Sequence, residues 1–202
     1  AVKRQAFVKA VAQLCLDERL DGIDLDWEHP RDAAEQEGYG KLLTDLRAAF
    51  EPHGLMLSVT IAAWQQMPKE AFAAPHWVQV MAYDHEGKHS TFEGSVADVR
   101  KLKEAGVPTG KIVLGLPFYG RDITRRNRSL AYAEIIARYD PQPDADEMEG
   151  LYFNGIETIR RKTEFALESG LGGVMARELG QDVPTDRSLL RAIEAAVQRA
   201  KK

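Results

Sequence analysis

The chain has 202 residues, of which 44% are hydrophobic and 29% charged, proportions that are ordinary for a globular domain with a sizeable core. Its 27 basic and 31 acidic side chains are interspersed and leave a net charge of −4, so no nucleic-acid surface is expected. A single cysteine excludes an internal disulfide, and Cys15 falls on the apolar side of a helical pattern, which predicts an inert core thiol. No apolar run approaches the roughly 18 residues of a membrane span, so no membrane partner is expected.

Helix and strand patterns alternate through the first part of the chain. Residues 2–19 place apolar side chains at helical spacing, and DGIDLDWE at 21–28 follows with the period of two that is typical of a strand. Residues 36–53 repeat the helical pattern, and Gly54 suits the C-terminal end of that helix. The run LMLSVTIA at 55–62 is the second predicted strand.

The alternation continues toward the C-terminus. WVQVMAYD at 77–84, KIVLGLPFYG at 111–120 and GLGGVMA at 170–176 are the remaining predicted strands. Further helical patterns lie around 96–102 and over 129–139, 156–169 and 187–200. Because no linker or low-complexity tract interrupts these patterns, residues 1–202 are predicted to form a single domain.

Two local signals lie near residue 150. The polar stretch at 141–150 lacks the ligand spacing of a calcium loop and predicts a solvated loop. Asn154, with Glu157 three residues later, predicts a capping box at the start of the helix over 156–169.

Five strands separated by helices predict a parallel α/β sheet, either an open doubly wound sheet or a (β/α)8 barrel. Strand alternation places Asp24, Asp26 and Glu28 on one face. An open sheet would press that face against a helix, whereas a barrel turns it toward an axis that opens at the C-terminal rim. The acidic row therefore favours the barrel. A complete barrel typically has about 250 residues, so this chain is expected to supply only part of one.

The acidic row is also the strongest functional signal. Three carboxylates on one face are unfavourable unless some are protonated, hydrogen-bonded or metal-bound, because desolvation and repulsion both oppose ionisation. A structural carboxylate pair that shares a proton and a divalent-metal site are the alternatives to a catalytic site. His29 and His85 follow strand ends, but the histidines lack the spacing of a zinc motif.

DGIDLDWE resembles the signature D-G-x-D-x-D-x-E of glycoside hydrolase family 18, the chitinases and related endo-N-acetylglucosaminidases, which lies on the fourth strand of a TIM-type (β/α)8 barrel. MAYD at 81–84, GLPFYGR at 115–121 and GGVMARELGQD at 172–182 resemble the sixth-, seventh- and eighth-strand motifs in the same order. The resemblance implies that this chain supplies about strands four to eight of an N-terminally incomplete catalytic domain. Roughly 100 further upstream residues would supply the other three βα units.

The resemblance also implies substrate-assisted hydrolysis rather than a two-carboxylate scheme. Glu28 would protonate the glycosidic oxygen and later activate water. Asp26 would orient the acetamido group whose carbonyl oxygen attacks the anomeric carbon. Asp24 would sit behind Asp26 and share its proton, so that the row titrates as a unit. Tyr83 would donate its hydroxyl to the acetamido oxygen.

The same resemblance assigns substrate contacts. Met81 would line the pocket, and Asp84 and Arg121 would contact sugar hydroxyls. Arg177 stands where the family usually has a tryptophan on which the reactive sugar stacks, and a guanidinium lacks the apolar face that matches a pyranose. Trp64 directly follows the strand at 55–62, which favours a sugar contact at the rim.

The implied partner is chitin or an N-acetylglucosamine oligosaccharide, with no metal or cofactor. Two functions remain open: a chitinase-like hydrolase, and a degenerate family member that binds such sugars without cleaving them or is an incomplete barrel fragment. A carboxylate–metal enzyme on a similar barrel is a third alternative. Unpaired strand edges would permit self-association. Family habit suggests secretion, although these residues do not set the compartment.

Overall fold

A computed structural model describes residues 2–125 and 128–202. The helices are α1 (Val2–Asp17), α2 (Ala33–Phe50), α3 (Phe92–Glu104), α4 (Tyr132–Tyr139), α5 (Ile156–Glu168) and α6 (Leu189–Ala200). The strands are β1 (Gly22–Asp26), β2 (Met56–Ile61), β3 (Trp77–Val80), β4 (Ile112–Pro117), β5 (Tyr119–Asp122), β6 (Ser129–Ala131), β7 (Glu147–Met148), β8 (Leu151–Tyr152) and β9 (Gly173–Arg177). Within these residues, no helix is both long and apolar enough to cross a membrane.

The main sheet is parallel throughout and has the strand order β1-β2-β3-β4-β9. Helix α2 connects β1 to β2, a 3₁₀ turn at Lys69–Ala73 lies between β2 and β3, and α3 connects β3 to β4. Neighbours in the sheet are therefore neighbours along the sequence, apart from an insertion between β4 and β9. This is the arrangement of consecutive strands in a (β/α)8 barrel. Among the described strands, β1 and β9 each pair with one partner and form the two edges.

The core lies between the sheet and its helices. Leu57, Val59 and Ile61 alternate along β2 and are almost completely buried, as are Leu43 and Leu46 of α2. Each such side chain stabilises the fold by about 1.5–3 kcal/mol. Because strand side chains alternate between faces, burial of one set turns the intervening residues of β2 toward the opposite, polar face of the sheet.

The cysteine belongs to this core. Cys15 is fully buried on α1 and unpaired, which confirms its predicted core position. Burial raises the pKa of its thiol, so the less reactive protonated form is favoured.

A second sheet, which the sequence did not predict, lies beside the parallel sheet. It is antiparallel, has the order β6-β5-β8-β7, and is inserted between β4 and α5. The predicted single strand at 111–120 is two strands, because Pro117 ends β4 and Phe118 hydrogen-bonds instead to Arg177 and Tyr132 through its backbone. The helix predicted from 129 begins at Tyr132, since 129–131 pair with β5.

The loop and cap predicted near residue 150 are both corrected. Residues 147–148 form β7 rather than loop. Asn154 does not cap α5, whose N-cap is Gly155 without a side-chain hydrogen bond. Its side chain is instead buried, where its Nδ2 donates to Ser90 O (2.8 Å) and its Oδ1 accepts from Lys162 Nζ (2.7 Å). Ser90 lies 64 positions away in sequence and Lys162 lies eight, so the local capping signal could not anticipate these contacts.

Candidate active site

The acidic row lies along β1 and just beyond its end. A Cβ at Gly22 would lie 1.9 Å from Met56 O, so only glycine allows β1 to approach β2 this closely. From that start the strand carries Asp24 and Asp26 on one face, and Glu28 follows two residues after the strand ends. The carboxylates therefore lie at the C-terminal edge of the parallel sheet, where barrel enzymes place their active sites.

Asp24 is held by side chains of the two neighbouring strands. Its Oδ1 accepts from Ser58 Oγ (2.5 Å) and Gln79 Nε2 (2.8 Å), and its Oδ2 accepts from Thr60 Oγ1 (2.7 Å). Three donors thus fix the carboxylate at the base of the row. Proton sharing between Asp24 and Asp26 stays a prediction.

Asp26 responds electrostatically to the rest of the row. Burial raises its pKa above the ordinary range, and the charges of Glu28 and Asp24 raise it further. His29 and Arg177 oppose this shift in part. Asp24 and Glu28 thus act electrostatically on Asp26, and joint titration of the three acids stays a prediction.

Tyr83 lies buried beside the row, three residues after the end of β3. The position of its ring requires a glycine at Gly115 of β4, because a Cβ there would lie 2.8 Å from the Tyr83 ring and 2.5 Å from Val80 O. Burial raises the pKa of Tyr83 well above the ordinary range, with a smaller contribution from nearby carboxylates. The hydroxyl therefore keeps its proton and is available as a donor.

Asp84 joins the main sheet to the antiparallel sheet. Its Oδ1 accepts from Tyr119 Oη (2.7 Å), and its Oδ2 accepts from Arg121 Nη2 (2.7 Å). Burial alone raises the pKa of Asp84, but His89, Tyr119 and Arg121 outweigh it, so that the pKa lies below its usual range. Sequence reasoning missed Tyr119. Its signal is the spacing of two from Arg121, which places both on one face of β5.

These groups surround one cavity of about 730 Å³, within the size range of small-molecule sites. Thr60 and Gln79, which bind Asp24, also line it. Asp24 is not among the lining residues. The other predicted site residues all line the cavity: Asp26, Glu28, Trp64, Met81, Tyr83, Asp84, Arg121 and Arg177. The structure thus brings eight of the nine predicted residues to a single space and places Asp24 behind Thr60 and Gln79.

The side of the cavity opposite the acids carries a cation. Arg177 ends β9 with its side chain 54% exposed, and its Nη1 lies 3.0 Å from Glu178 Oε2. Its charge lowers the pKa of Asp26 and Tyr83 against the larger effect of burial. Arg177 therefore acts on the same space as the acids, and no aromatic ring occupies its position.

Trp64 stands at the rim, 64% exposed. Its ring packs edge-on against the His29 ring, with the two ring centroids 4.5 Å apart. His29 Nδ1 lies 2.9 Å from Gln65 Oε1. An exposed indole held in this way offers an apolar face to a sugar ring, and its role as a rim contact stays a prediction.

No group of three or more His, Cys, Asp or Glu side chains in residues 2–125 and 128–202 is arranged to hold a metal ion. Metal-independent hydrolysis stays a prediction.

A sequence model of the glycosyl hydrolases family 18 matches residues 1–182. The chain belongs to this family. It is 26% identical over 246 residues to "Probable chitinase 2" of Drosophila melanogaster, in a match that covers 89% of this chain and 51% of that protein. The family 18 assignment agrees with the order of the four motifs and the acidic row on β1.

Solved structures of similar proteins have the same fold. The GH18 chitinase ChiB from the chitin utilization locus of Flavobacterium johnsoniae superimposes with a TM-score of 0.87 at 31% identity, covering 97% of this chain and 66% of that one. The chitinase-like agglutinin from Robinia pseudoacacia gives a TM-score of 0.84 at 23% identity, covering 97% of this chain and 73% of that one. The likeness confirms an α/β fold that forms part of a TIM-type barrel. The chain spans about half the length of the Drosophila relative and about two thirds of the Flavobacterium structure.

Proposed function

We propose that this family 18 chain carries the catalytic residues for hydrolysis of β-1,4-linked N-acetylglucosamine polymers, with retention and with assistance from the substrate. The observation that supports it most is the convergence of Glu28, Asp26 and Tyr83 on one cavity. No other nucleophile is required, because the 2-acetamido group of the sugar attacks its own anomeric carbon.

In the first step, the acetamido carbonyl oxygen forms a bond to the anomeric carbon while the bond to the leaving oxygen breaks. Glu28 gives its proton to that leaving oxygen and becomes a carboxylate. In the second step, Glu28 takes a proton from water as the water oxygen bonds to the anomeric carbon and the acetamido oxygen leaves. Proton transfer by a positioned carboxyl group contributes about 10²- to 10⁴-fold to the rate.

Asp26 and Tyr83 act on the acetamido group. The Asp26 carboxyl accepts from the acetamido N–H and stabilises the positive charge of the oxazolinium intermediate. The Tyr83 hydroxyl, protonated because of its burial, donates to the acetamido oxygen. Burial and the charge of Glu28 raise the pKa of Asp26, and Asp24, fixed from β2 and β3, raises it further. Asp84 and Arg121 form a braced pair that faces sugar hydroxyls.

Arg177 favours a second candidate function, in which the chain binds such sugars without cleaving them. A guanidinium adds positive charge where a cationic intermediate forms, and it replaces an apolar stacking surface. The fold alone does not decide between these functions. We expect weak or absent hydrolysis from the 202-residue chain by itself.

The two edges of the main sheet are a second reason to expect weak or absent hydrolysis from the 202-residue chain by itself. We propose that β1 and β9 are closed by three further βα units in the active barrel, because unpaired strand edges leave backbone groups without partners. The edges would otherwise favour pairing with a second copy of the chain.

The test is release of the fluorophore from a fluorogenic chitobioside, measured on the longest native form and on the 202-residue chain. Glu28→Gln should lower release at least about 100-fold, since it removes the transferable proton and keeps the shape. Glu104→Gln is the matched control, because Glu104 is exposed on α3, and should leave release unchanged. EDTA should have no effect, whereas EDTA-sensitive release would favour a metal enzyme.

Calorimetric titration with N-acetylglucosamine oligosaccharides separates the two candidates. Sugar binding without Glu28-dependent release would identify a binding protein. Neither binding nor release would refute both functions.

A further inference from the structure

A fully buried lysine lies outside the cavity. Lys162, on α5, donates from Nζ to Ser90 O (2.8 Å), Ser90 Oγ (2.8 Å) and Asn154 Oδ1 (2.7 Å). An ammonium group has three N–H donors, so each donor has one acceptor. All three acceptors are neutral, which is unusual for a buried cation.

Ser90 connects Lys162 to the backbone beside Tyr83 in the candidate active site. Its Oγ donates to Ala82 O (2.7 Å), and Ala82 directly precedes Tyr83. Ser90 O also accepts from Asn154 Nδ2 (2.8 Å), so that both oxygens of the serine are engaged. The cluster therefore joins α5, the segment before α3 and the backbone at Tyr83.

The protonation state of Lys162 is sensitive to pH near neutrality. Burial lowers the pKa of Lys162 to about 7, although Asp146, Asp98 and Glu93 each oppose this shift. Asp146 lies before β7, and Asp98 and Glu93 lie on α3. The neighbouring His89 lies on the same segment as Ser90. Burial lowers the pKa of His89, and the charge of Lys162 lowers it further.

Counting donors shows what deprotonation does. A neutral lysine amine has two N–H donors and one lone pair, yet it faces three oxygen atoms. Asn154 Nδ2 is already engaged with Ser90 O (2.8 Å) and Phe153 O (3.1 Å), whereas the Ser90 hydroxyl can rotate and donate to the lone pair. That rotation breaks its hydrogen bond to Ala82 O, and the carbonyl beside Tyr83 loses its donor.

We propose that Lys162 is a positioning residue for the sugar pocket, which fixes the backbone at Tyr83 through Ser90 and Ala82 when protonated and releases it when neutral. The inference rests on the proposed function, because Tyr83 is the group through which the lysine reaches the sugar. Below the midpoint of the lysine titration the site is ordered, and above it the hold on Ala82 is lost.

The first test follows the full chain by NMR, with lysine Nζ and tyrosine rings isotopically labelled, from about pH 5.5 to about pH 9. The Tyr83 signal is assigned with Tyr83→Phe. We expect the Tyr83 ring and Lys162 Nζ signals to shift with one shared midpoint. A Tyr83 signal that does not follow the lysine would overturn the positioning role.

Two serine variants separate the relay from general packing. Ser90→Ala removes the hydroxyl that carries the contact, and should leave the Tyr83 signal independent of the lysine titration. Ser95→Ala is the matched control, because Ser95 is equally buried and its Oγ donates only to Thr91 O (3.1 Å) within the same region. The control should keep the shared midpoint, and an unchanged shift in Ser90→Ala refutes the relay. If Ser90→Ala does not fold, Lys162→Arg, which stays charged, should lose the shift instead.

Sugar affinity gives the second readout. Calorimetry with an N-acetylglucosamine trisaccharide should show about three- to ten-fold weaker binding above the midpoint, the size of one lost hydrogen bond, in the unmodified chain and in Ser95→Ala but not in Ser90→Ala. Absent sugar binding would refute the proposed function, while a shared NMR midpoint would still support the relay. pH-dependent affinity that persists in Ser90→Ala would overturn the relay and leave the proposed function intact.

Discussion

The two edge strands of the parallel sheet have the same length and opposite chemistry. Each spans five residues, begins with a glycine and ends in a charged side chain at the cavity. At alternate positions β1 carries Asp24 and Asp26, whereas β9 carries Met175 and Arg177. The same backbone geometry therefore presents acids on one side of the cavity and a thioether and a cation on the other.

The edges also differ in how firmly their side chains are held. Asp24 accepts three hydrogen bonds from β2 and β3. Arg177 has an ion pair with the adjacent Glu178, and both side chains are more than half exposed, so this pair contributes little to its position. The two edge strands therefore differ in the side-chain hydrogen bonds that support their charged groups, although both place a charged group at a strand end.

The largest expected effect comes from the glycine that begins β1. Gly22→Ala should destabilise the fold by more than about 3 kcal/mol, because its Cβ would meet the Met56 backbone and one strand must move. Gly173→Ala at the start of β9 is the matched variant. There a Cβ meets nothing within 4 Å and backbone strain alone remains, at about 1–2 kcal/mol.

Urea unfolding followed by circular dichroism measures both variants. Equal losses at Gly22 and Gly173 would show that the two edges are packed alike, contrary to the comparison.

A smaller effect is expected from the side chain at the other edge. Arg177→Trp should strengthen binding of N-acetylglucosamine oligosaccharides about three- to ten-fold, since an aromatic ring supplies about 0.5–1.5 kcal/mol of stacking. Arg177→Ala removes the charge without adding a ring. If both variants bind equally tightly by calorimetry, relief of charge rather than stacking is the cause, and unchanged affinity in both contradicts the assigned role of Arg177.

The same contrast explains which features could be predicted from sequence. The five parallel strands and the acidic row carry local signals, namely long apolar runs and a period of two. The antiparallel sheet does not, because β7 and β8 are two residues each and depend on pairing rather than on composition. Asn154 has a strong local capping signal, and its buried contacts with Ser90 and Lys162 override it.

The candidate site divides in the same way. The motifs locate Asp84 and Arg121, but the bond from Tyr119 to Asp84 joins residues 35 positions apart, which no short motif encodes. Arg177 was visible as a departure from the family pattern. Its influence on the pKa of Asp26 required the geometry of the cavity.

The smallest expected effect is the pH dependence that Asp26 gives to stability. Burial, then Glu28 and Asp24, raise the pKa of Asp26 in the folded chain, so the folded state binds this proton at a higher pH than the unfolded state does. Asp26 therefore contributes stability that is present below its unfolded pKa and is lost as pH rises through the folded value. The effect is small because Asp26 is only partly buried and solvent screens its charge.

Asp26→Asn removes that titration, so its urea midpoint should fall less, or rise more, between about pH 4 and pH 7 than the midpoint of the unmodified chain. Asp144→Asn, at an exposed position in the segment before β7, is the control and should retain the dependence. Equal slopes in both variants would mean that Asp26 does not contribute to the pH dependence of stability. A slope that changes only in Asp26→Asn would assign this contribution to Asp26, on the edge strand whose acidic row is hydrogen-bonded from β2 and β3.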